Sequence, residues 1–133
     1  MILVDTCVLL DVVTGAPDWA DWSERQLAVW AARGPLLINE VVFAEFCAAY
    51  QHLAEVEHAV RFMELDERVI PNEGLFLGSQ AHRLYRRRGG NKATVLPDFL
   101  IGAHAAVLRV PILTRDPRRF TSYFANLEVV SPD

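Results

Sequence analysis

Short apolar runs alternate with longer amphipathic stretches along the whole chain. Aliphatic residues dominate each run, and turn-forming or capping residues lie close to it. A short, continuously apolar run is typical of a strand that is covered on both faces, as in a parallel sheet. We therefore expect buried strands at residues 2–4, 36–38, 69–70, 111–114 and 127–130.

The stretches between these runs have apolar residues at helical spacing, most clearly over residues 8–13. Residues suited to helix N-caps or first turns precede them, namely Asp5 or Thr6, Asp18, Asn39 and Pro97. We expect helices from the first cap to Gly15, from Asp18 to Gly34, and over 40–53, 54–65, 74–88 and 97–108. Strands that alternate with helices from end to end predict an α/β domain with a parallel sheet and helices on both sides.

The composition fits one folded domain over residues 1–133. Hydrophobic residues make up 52% of the 133 positions, which is enough for a core. No run of about eighteen apolar residues predicts a membrane span, and the N-terminus lacks the basic segment of a signal peptide, so we expect a cytoplasmic protein. Cys7 and Cys47 form no C-x-x-C pair, and in that compartment we expect neither a disulfide nor a zinc site.

The charge distribution is uneven, although the net charge is −4. Residues 83–119 hold nine basic side chains against two acids, a net +7, which leaves −11 for the rest of the chain. The nine are Arg83, Arg86, Arg87, Arg88, Lys92, Arg109, Arg115, Arg118 and Arg119. This split predicts a basic face that binds phosphates, whereas an ordinary solvated helix face explains residues 83–88 equally well.

Four acids fall where the predicted elements bring distant parts of the chain together. Asp5 directly follows the first strand and Asp116 follows the strand at 111–114, so both belong to the carboxyl edge of a parallel sheet, where ligands bind. Glu45 lies about one and a half turns into the helix after the second strand, and Asp98 lies in the first turn of its helix, so both side chains can reach the same edge. Taken singly, Asp5, Asp98 and Asp116 suit ordinary capping or turn roles, whereas Glu45 interrupts an otherwise apolar helix.

Convergent carboxylates repel each other, and a divalent cation relieves the repulsion. A ligand set of oxygens without His or Cys suits Mg²⁺ or Mn²⁺. Such ions bind phosphate oxygens and activate water, so the four acids predict phosphodiester hydrolysis.

The chain resembles the PIN-domain ribonucleases, and among them the VapC toxins of bacterial toxin–antitoxin pairs. Four motifs carry the resemblance in the family's order and spacing: ILVDTCVLLD, INEVVFAEF, LPDFLIGAHA and ILTRDPRRF. The resemblance implies a PIN-like three-layer α/β/α fold with a short, mainly parallel central sheet. Cys7 departs mildly from the pattern, since Asn, Ser or another small residue is common there.

The resemblance also implies roles for individual residues. Asp5, Glu45, Asp98 and Asp116 would form the metal pocket, and Thr6 and Thr114 would support it. A metal-activated water would leave a 5′-phosphate and a 3′-hydroxyl. Family members are usually homodimers that a VapB-like antitoxin inhibits, and Trp19, Trp22, Trp30 and Tyr123–Phe124 are candidates for such interfaces. The residues that we expect to bind RNA are Arg115, Arg86, Arg87, Arg88, Lys92 and Arg118.

Three other protein classes share some of these sequence features. Aspartyl-phosphate hydrolases need a second Asp where this chain has Cys7, and receiver domains need adjacent early acids and a late Lys, whereas the lone lysine is Lys92. A non-catalytic PIN-like module that binds RNA or protein stays open as the alternative, although such modules typically lose site acids.

Overall fold

A computed structural model describes residues 1–91 and 95–132, in which five short strands alternate with seven helices. The strands are β1 (Ile2–Val4), β2 (Leu36–Ile38), β3 (Leu65–Glu67), β4 (Ile112–Leu113) and β5 (Val129–Val130). The helices are α1 (Thr6–Thr14), α2 (Ala20–Ala31), α3 (Glu40–Cys47), α4 (Leu53–Phe62), α5 (Asn72–Arg87), α6 (Leu96–Leu108) and α7 (Arg118–Tyr123).

The five strands form one parallel sheet in the order β3-β2-β1-β4-β5. Leu3 in the central strand pairs with Leu37 on one side and Ile112 on the other. Because β1 and β4 are neighbours and run in the same direction, the residues that follow them emerge at the same edge of the sheet. This arrangement brings the segment after β1 next to the segment after β4.

Helices cover both faces of the sheet. Ile2, Leu3 and Val4 are all fully buried, and successive residues of a strand face opposite sides. The predicted three-layer α/β/α architecture is thereby confirmed. Within residues 1–91 and 95–132, no helix is long and apolar enough to cross a membrane.

Helices α5 and α6 approach each other closely because a glycine of α5, Gly78, faces α6. A Cβ atom on Gly78 would lie 2.9 Å from Leu100 Cδ2 and 3.0 Å from the carbonyl oxygen of Phe99. Phe99 and Ile101 of α6 are fully buried. The start of α6, which carries Asp98, is therefore fixed against the core.

Three expectations from the sequence were wrong in detail. The third strand is β3, not residues 69–70, because an edge strand with solvent beside it tolerates Asp66 and Glu67. Helix α2 begins after Trp19 rather than at an Asp18 cap. Helix α3 ends at Cys47, and α4 starts after His52, whose backbone N–H donates to the Glu55 carboxylate at 3.0 Å.

Candidate active site

Asp5 is the residue in which the end of β1 and the start of α1 meet. It is the N-cap of α1, and its Oδ1 accepts the backbone N–H of Thr6 at 2.8 Å. Its Oδ2 accepts the hydroxyl of Thr114 at 2.8 Å and the thiol of Cys7 at 3.4 Å. Asp5 is only 8% exposed, so these donors hold its carboxylate in one orientation.

Thr114 links Asp5, which follows β1, to Asp116, which follows β4. It is fully buried directly after β4, and its oxygen accepts the backbone N–H of Asp116 at 3.1 Å while it donates to Asp5. One hydroxyl thus fixes the turn that carries Asp116 relative to Asp5. The carboxylate of Asp116 itself is exposed, 3.6 Å from Arg118 Nε.

Thr6 holds Glu45 from the neighbouring helix. Its hydroxyl donates to Glu45 Oε1 at 2.7 Å, which joins the first turn of α1 to α3. Asn39 supports the same arrangement at the start of α3, where its Oδ1 accepts the N–H of Val42 at 2.9 Å. Glu45 therefore projects toward the residues that follow β1.

Asp98, in the first turn of α6, forms an ion pair with Arg119 of α7. Arg119 Nη1 lies 2.9 Å from Asp98 Oδ2, and the two side chains are 26% and 32% exposed. Arg119 follows β4 by a few residues, so this pair connects α6 with the loop that carries Asp116. Arg119 thereby supplies a positive charge next to the acids.

All four acids line one open cavity of about 310 Å³. Its other lining residues are Thr6, Cys7, Leu10, Arg115, Arg119 and Phe120. The four carboxylates come from residues 5, 45, 98 and 116 of the chain, and the parallel sheet brings them to one edge. In a cavity lined by acids and arginines, the acids suit metal ions and the arginines suit phosphate groups.

Burial and mutual repulsion disturb the ionisation of these acids. Burial raises the pKa of Asp5 from 3.8 to about 6, and the charge of Asp98 adds to the effect. Burial also raises the pKa of Asp98; Arg119 opposes this, whereas Glu45 and Asp116 increase it. Burial, with the charge of Asp5, raises the pKa of Cys7 to about 12, which keeps it a neutral thiol.

As the side chains stand, no group of three or more His, Cys, Asp or Glu residues in 1–91 and 95–132 has the spacing to hold a metal ion. Hydrogen bonds and an ion pair occupy the carboxylates instead: Thr6 binds Glu45, and Arg119 binds Asp98. Carboxylates that share a cavity repel each other, which favours such separate partners. The donor set itself, oxygens without thiolate or imidazole, is of the kind that Mg²⁺ and Mn²⁺ prefer.

The basic residues expected to bind RNA fall into separate groups. Arg115 lines the acid cavity, and Arg118 is exposed beside Asp116. Arg86 and Arg87 line a different surface cavity, and the guanidinium of Arg88 lies 5.4 Å from the ring centre of Tyr123. The structure does not bring these three to the acid cavity, and Lys92 lies outside the described residues.

Sequence reasoning missed the roles of two acid–arginine pairs at this site. Asp11 is 2% exposed and binds Arg115 Nε at 2.9 Å, and Arg119 binds Asp98. The signal for Asp11 was present, because it interrupts an apolar helix just as Glu45 does. The pairing of Arg119 had no comparable signal, since exposed and paired arginines look alike in a sequence.

Several solved structures have the same fold. A chain of the crystal structure of VapBC2 from Rickettsia felis bound to a DNA fragment from their promoter aligns with a TM-score of 0.74 and 17% identity over 100% of both chains. A chain of VapBC-1 from nontypeable Haemophilus influenzae gives 0.72 and 13% over 98% of both. A toxin–antitoxin complex from Klebsiella pneumoniae gives 0.69 and 20%, over 100% of this chain and 98% of that one.

At such low identity these likenesses concern the fold alone. No curated protein matched the chain in a sequence comparison. The family described as PIN domain matches residues 2–124, which is nearly the whole chain and includes all four acids. The chain therefore belongs to the PIN domain family.

Proposed function

We propose that this chain is a metal-dependent endoribonuclease that acts as a VapC-like toxin. The observation that carries the proposal is the shared cavity of Asp5, Glu45, Asp98 and Asp116. A buried carboxylate such as Asp5, whose pKa is raised to about 6, is costly to the fold and suits a site that is completed by a cation. PIN domain membership and the fold shared with chains of toxin–antitoxin structures support the same conclusion.

The residues present fit Mg²⁺ or Mn²⁺. Four carboxylates offer hard oxygen ligands, and their negative charges need compensation. Asp5, Glu45, Asp98 and Asp116 would hold the ion or ions, with Asp5 kept in orientation by Thr6 and Thr114. When bound, a divalent cation supplies an activated water and stabilises the leaving oxygen of a phosphodiester.

The side chains of the protein would bind and orient the RNA around that chemistry. Arg119 is close enough to the acids to contact the phosphate at which the RNA is cut, once Asp98 binds a cation. Arg115 and Arg118 lie on the rim, where they would bind neighbouring phosphates. The proposed products are a 5′-phosphate and a 3′-hydroxyl, which would form when water attacks the phosphorus and the 3′-oxygen leaves, without a covalent enzyme intermediate.

The proposed partners are a VapB-like antitoxin and a second copy of the chain. The similar structures from R. felis and K. pneumoniae are those of a VapBC pair and of a toxin–antitoxin complex. Large apolar side chains such as Phe62, 79% exposed, and Phe76, 57% exposed, are available for such contacts. Light scattering of the purified chain tests the homodimer, which has twice the monomer mass of 15.0 kDa.

Product analysis with single-residue variants tests the nuclease. Asp98→Asn and Asp116→Asn should each abolish Mg²⁺-dependent cutting, whereas Asp66→Asn, at an exposed ion pair with Arg68, should cut as the wild type does. Ligation that requires a 5′-phosphate should capture the wild-type products. RNA binding by a folded wild-type protein that never cuts, with either metal, would contradict the nuclease and favour a PIN-like binding module.

A further inference from the structure

Asp11 is a buried acid that the four-carboxylate site does not use. It lies on the inner side of α1, 2% exposed, and the hydroxyl of Ser23 in α2 donates to its Oδ2 at 2.9 Å. Arg115 Nε donates to both of its oxygens, at 3.1 and 2.9 Å. A carboxylate is rarely buried without a partner of opposite charge, and Arg115 is that partner for Asp11.

Arg115 is held along one edge only. Its Nε is bound to Asp11, and its guanidinium carbon lies 5.9 Å from the ring centre of Trp19. In the part of the chain that the structure describes, neither Nη group of Arg115 donates a hydrogen bond to the protein. The side chain is 36% exposed and lines the acid cavity, so the two free groups are open to a ligand there.

The contact with Asp11 also keeps Arg115 away from the site acids. Arg119, the other arginine of the cavity wall, is paired with Asp98. An arginine without its own acid would pair with Asp5, Asp116 or Glu45 in the same way and occupy them. Asp11 neutralises Arg115 from behind, which leaves the cavity acids for cations and leaves the Nη pair for an anion.

We propose that Asp11 and Ser23 are positioning residues, which fix Arg115 so that its two Nη groups bind an RNA backbone phosphate next to the one that is cut. The inference rests on the proposed function and deepens it by naming a phosphate subsite. A guanidinium binds two phosphate oxygens through parallel N–H groups, and a fixed guanidinium loses less conformational entropy on binding than a mobile one. The ordinary alternative is a structural link that joins α1, α2 and the loop after β4.

A double-mutant cycle on RNA affinity separates these two roles. A labelled single-stranded RNA oligonucleotide is titrated with EDTA present, so that no cutting takes place, into the wild type, Arg115→Gln, Asp11→Asn and the double variant. Arg115→Gln should weaken binding about tenfold, since charge-assisted hydrogen bonds are lost. It should also reduce the slope of log affinity against log salt by about 0.7, the value for one phosphate contact on a single strand.

Asp11→Asn should weaken binding nearly as much, and the double variant should bind no worse than Arg115→Gln alone, because Asp11 acts through Arg115. Asp66→Asn, at the exposed pair with Arg68, is the matched control and should bind as the wild type does. If Asp11→Asn does not fold, Ser23→Ala takes its place in the double-mutant cycle with Arg115→Gln. It should weaken binding about threefold, and only while Arg115 is present.

Three results would overturn the inference: wild type that does not bind the oligonucleotide, Arg115→Gln that binds normally, or an Asp11→Asn effect of equal size with and without Arg115. The last result is the mark of a structural link. Failure of the nuclease proposal looks different, since RNA would then bind with the predicted cycle but stay uncut after Mg²⁺ or Mn²⁺ is added.

Discussion

Asp5→Asn is expected to stabilise the metal-free protein at pH 8 while it removes nuclease activity. Burial raises the pKa of Asp5 from 3.8 to about 6, so the ionised side chain costs the folded state about 3 kcal/mol. Asparagine avoids this cost but loses about 1 kcal/mol, because its amide group replaces an oxygen that accepts from Thr114. The net gain is about 2 kcal/mol, or about 6 °C in Tm for a domain of this size.

The pH dependence of this gain has a definite sign. The pKa of Asp5 is higher in the folded protein than in the unfolded chain, so the folded state binds the proton more tightly. The free energy of unfolding of the wild type therefore falls as pH rises from about 4 to about 6. The variant lacks this dependence. At pH 4, where Asp5 is protonated in the folded protein, the gain should vanish and Asp5→Asn should be slightly less stable than wild type.

Urea unfolding at pH 4, 6 and 8 with EDTA measures the difference, and equal m-values show that the unfolded states are comparable. Asp66→Asn, 40% exposed at its side chain, is the control and should change stability by less than about 1 kcal/mol at each pH. Saturating Mg²⁺ should reduce the advantage of Asp5→Asn, because only the wild type gains the full binding energy. A variant less stable than wild type at pH 8 without metal would refute the reasoning.

Three further predictions concern Glu45, Gly78 and Arg118. Glu45→Gln can still accept the Thr6 hydroxyl, so its free energy of unfolding in urea should change by less than about 0.5 kcal/mol. Its kcat should fall about a hundredfold or more, and a variant that cuts as fast as the wild type would contradict a role in metal binding. Gly78→Ala should lower the free energy of unfolding by about 1–3 kcal/mol, since its Cβ would meet Leu100 and the backbone of Phe99, whereas exposed Ser79→Ala should not. RNA affinity should fall steeply with salt, and Arg118→Gln, at a largely exposed side chain, should reduce the slope by about 0.7; a flat wild-type response would exclude phosphate contacts.

The central part of the fold could be predicted from the sequence, because buried strands need unbroken aliphatic runs. Strands β1, β2 and β4 follow from this requirement directly. Strand β3 does not, since it forms an edge of the sheet and carries Asp66 and Glu67. Helix α7 was also missed, because it is a single short stretch after Pro117 that is anchored by the buried ring of Phe120.

The meeting of the four acids in one cavity follows from the rule that parallel strands present their carboxyl ends at the same edge. Their hydrogen-bond partners do not follow from any such rule. The Thr6 hydroxyl turns to Glu45 rather than to Asp5, which Thr6 binds through its backbone N–H instead. These choices depend on distances between α1 and α3 that only the folded chain sets.

The basic segment shows the limit of arguments from charge. Basic residues outnumber acids over residues 83–119, but Arg86 and Arg87 of α5 line a separate surface cavity. Of the expected RNA-binding set, Arg115 reaches the acid cavity, and its buried partner Asp11 sets its direction. Net charge identifies a basic segment, whereas the packing of helices decides which of its side chains face the acids.

Cleavage of a labelled cellular RNA pool by the wild type and by Asp5→Asn, each with Mg²⁺, Mn²⁺ or EDTA, tests the central claim most directly. Asparagine keeps the size of the side chain and its capping ability but removes the charge. The proposal predicts fragments with 5′-phosphate ends from the wild type with a metal, and none with EDTA or from Asp5→Asn. Equal cutting by Asp5→Asn, or cutting by the wild type that persists in EDTA, would contradict the metal-dependent carboxylate site.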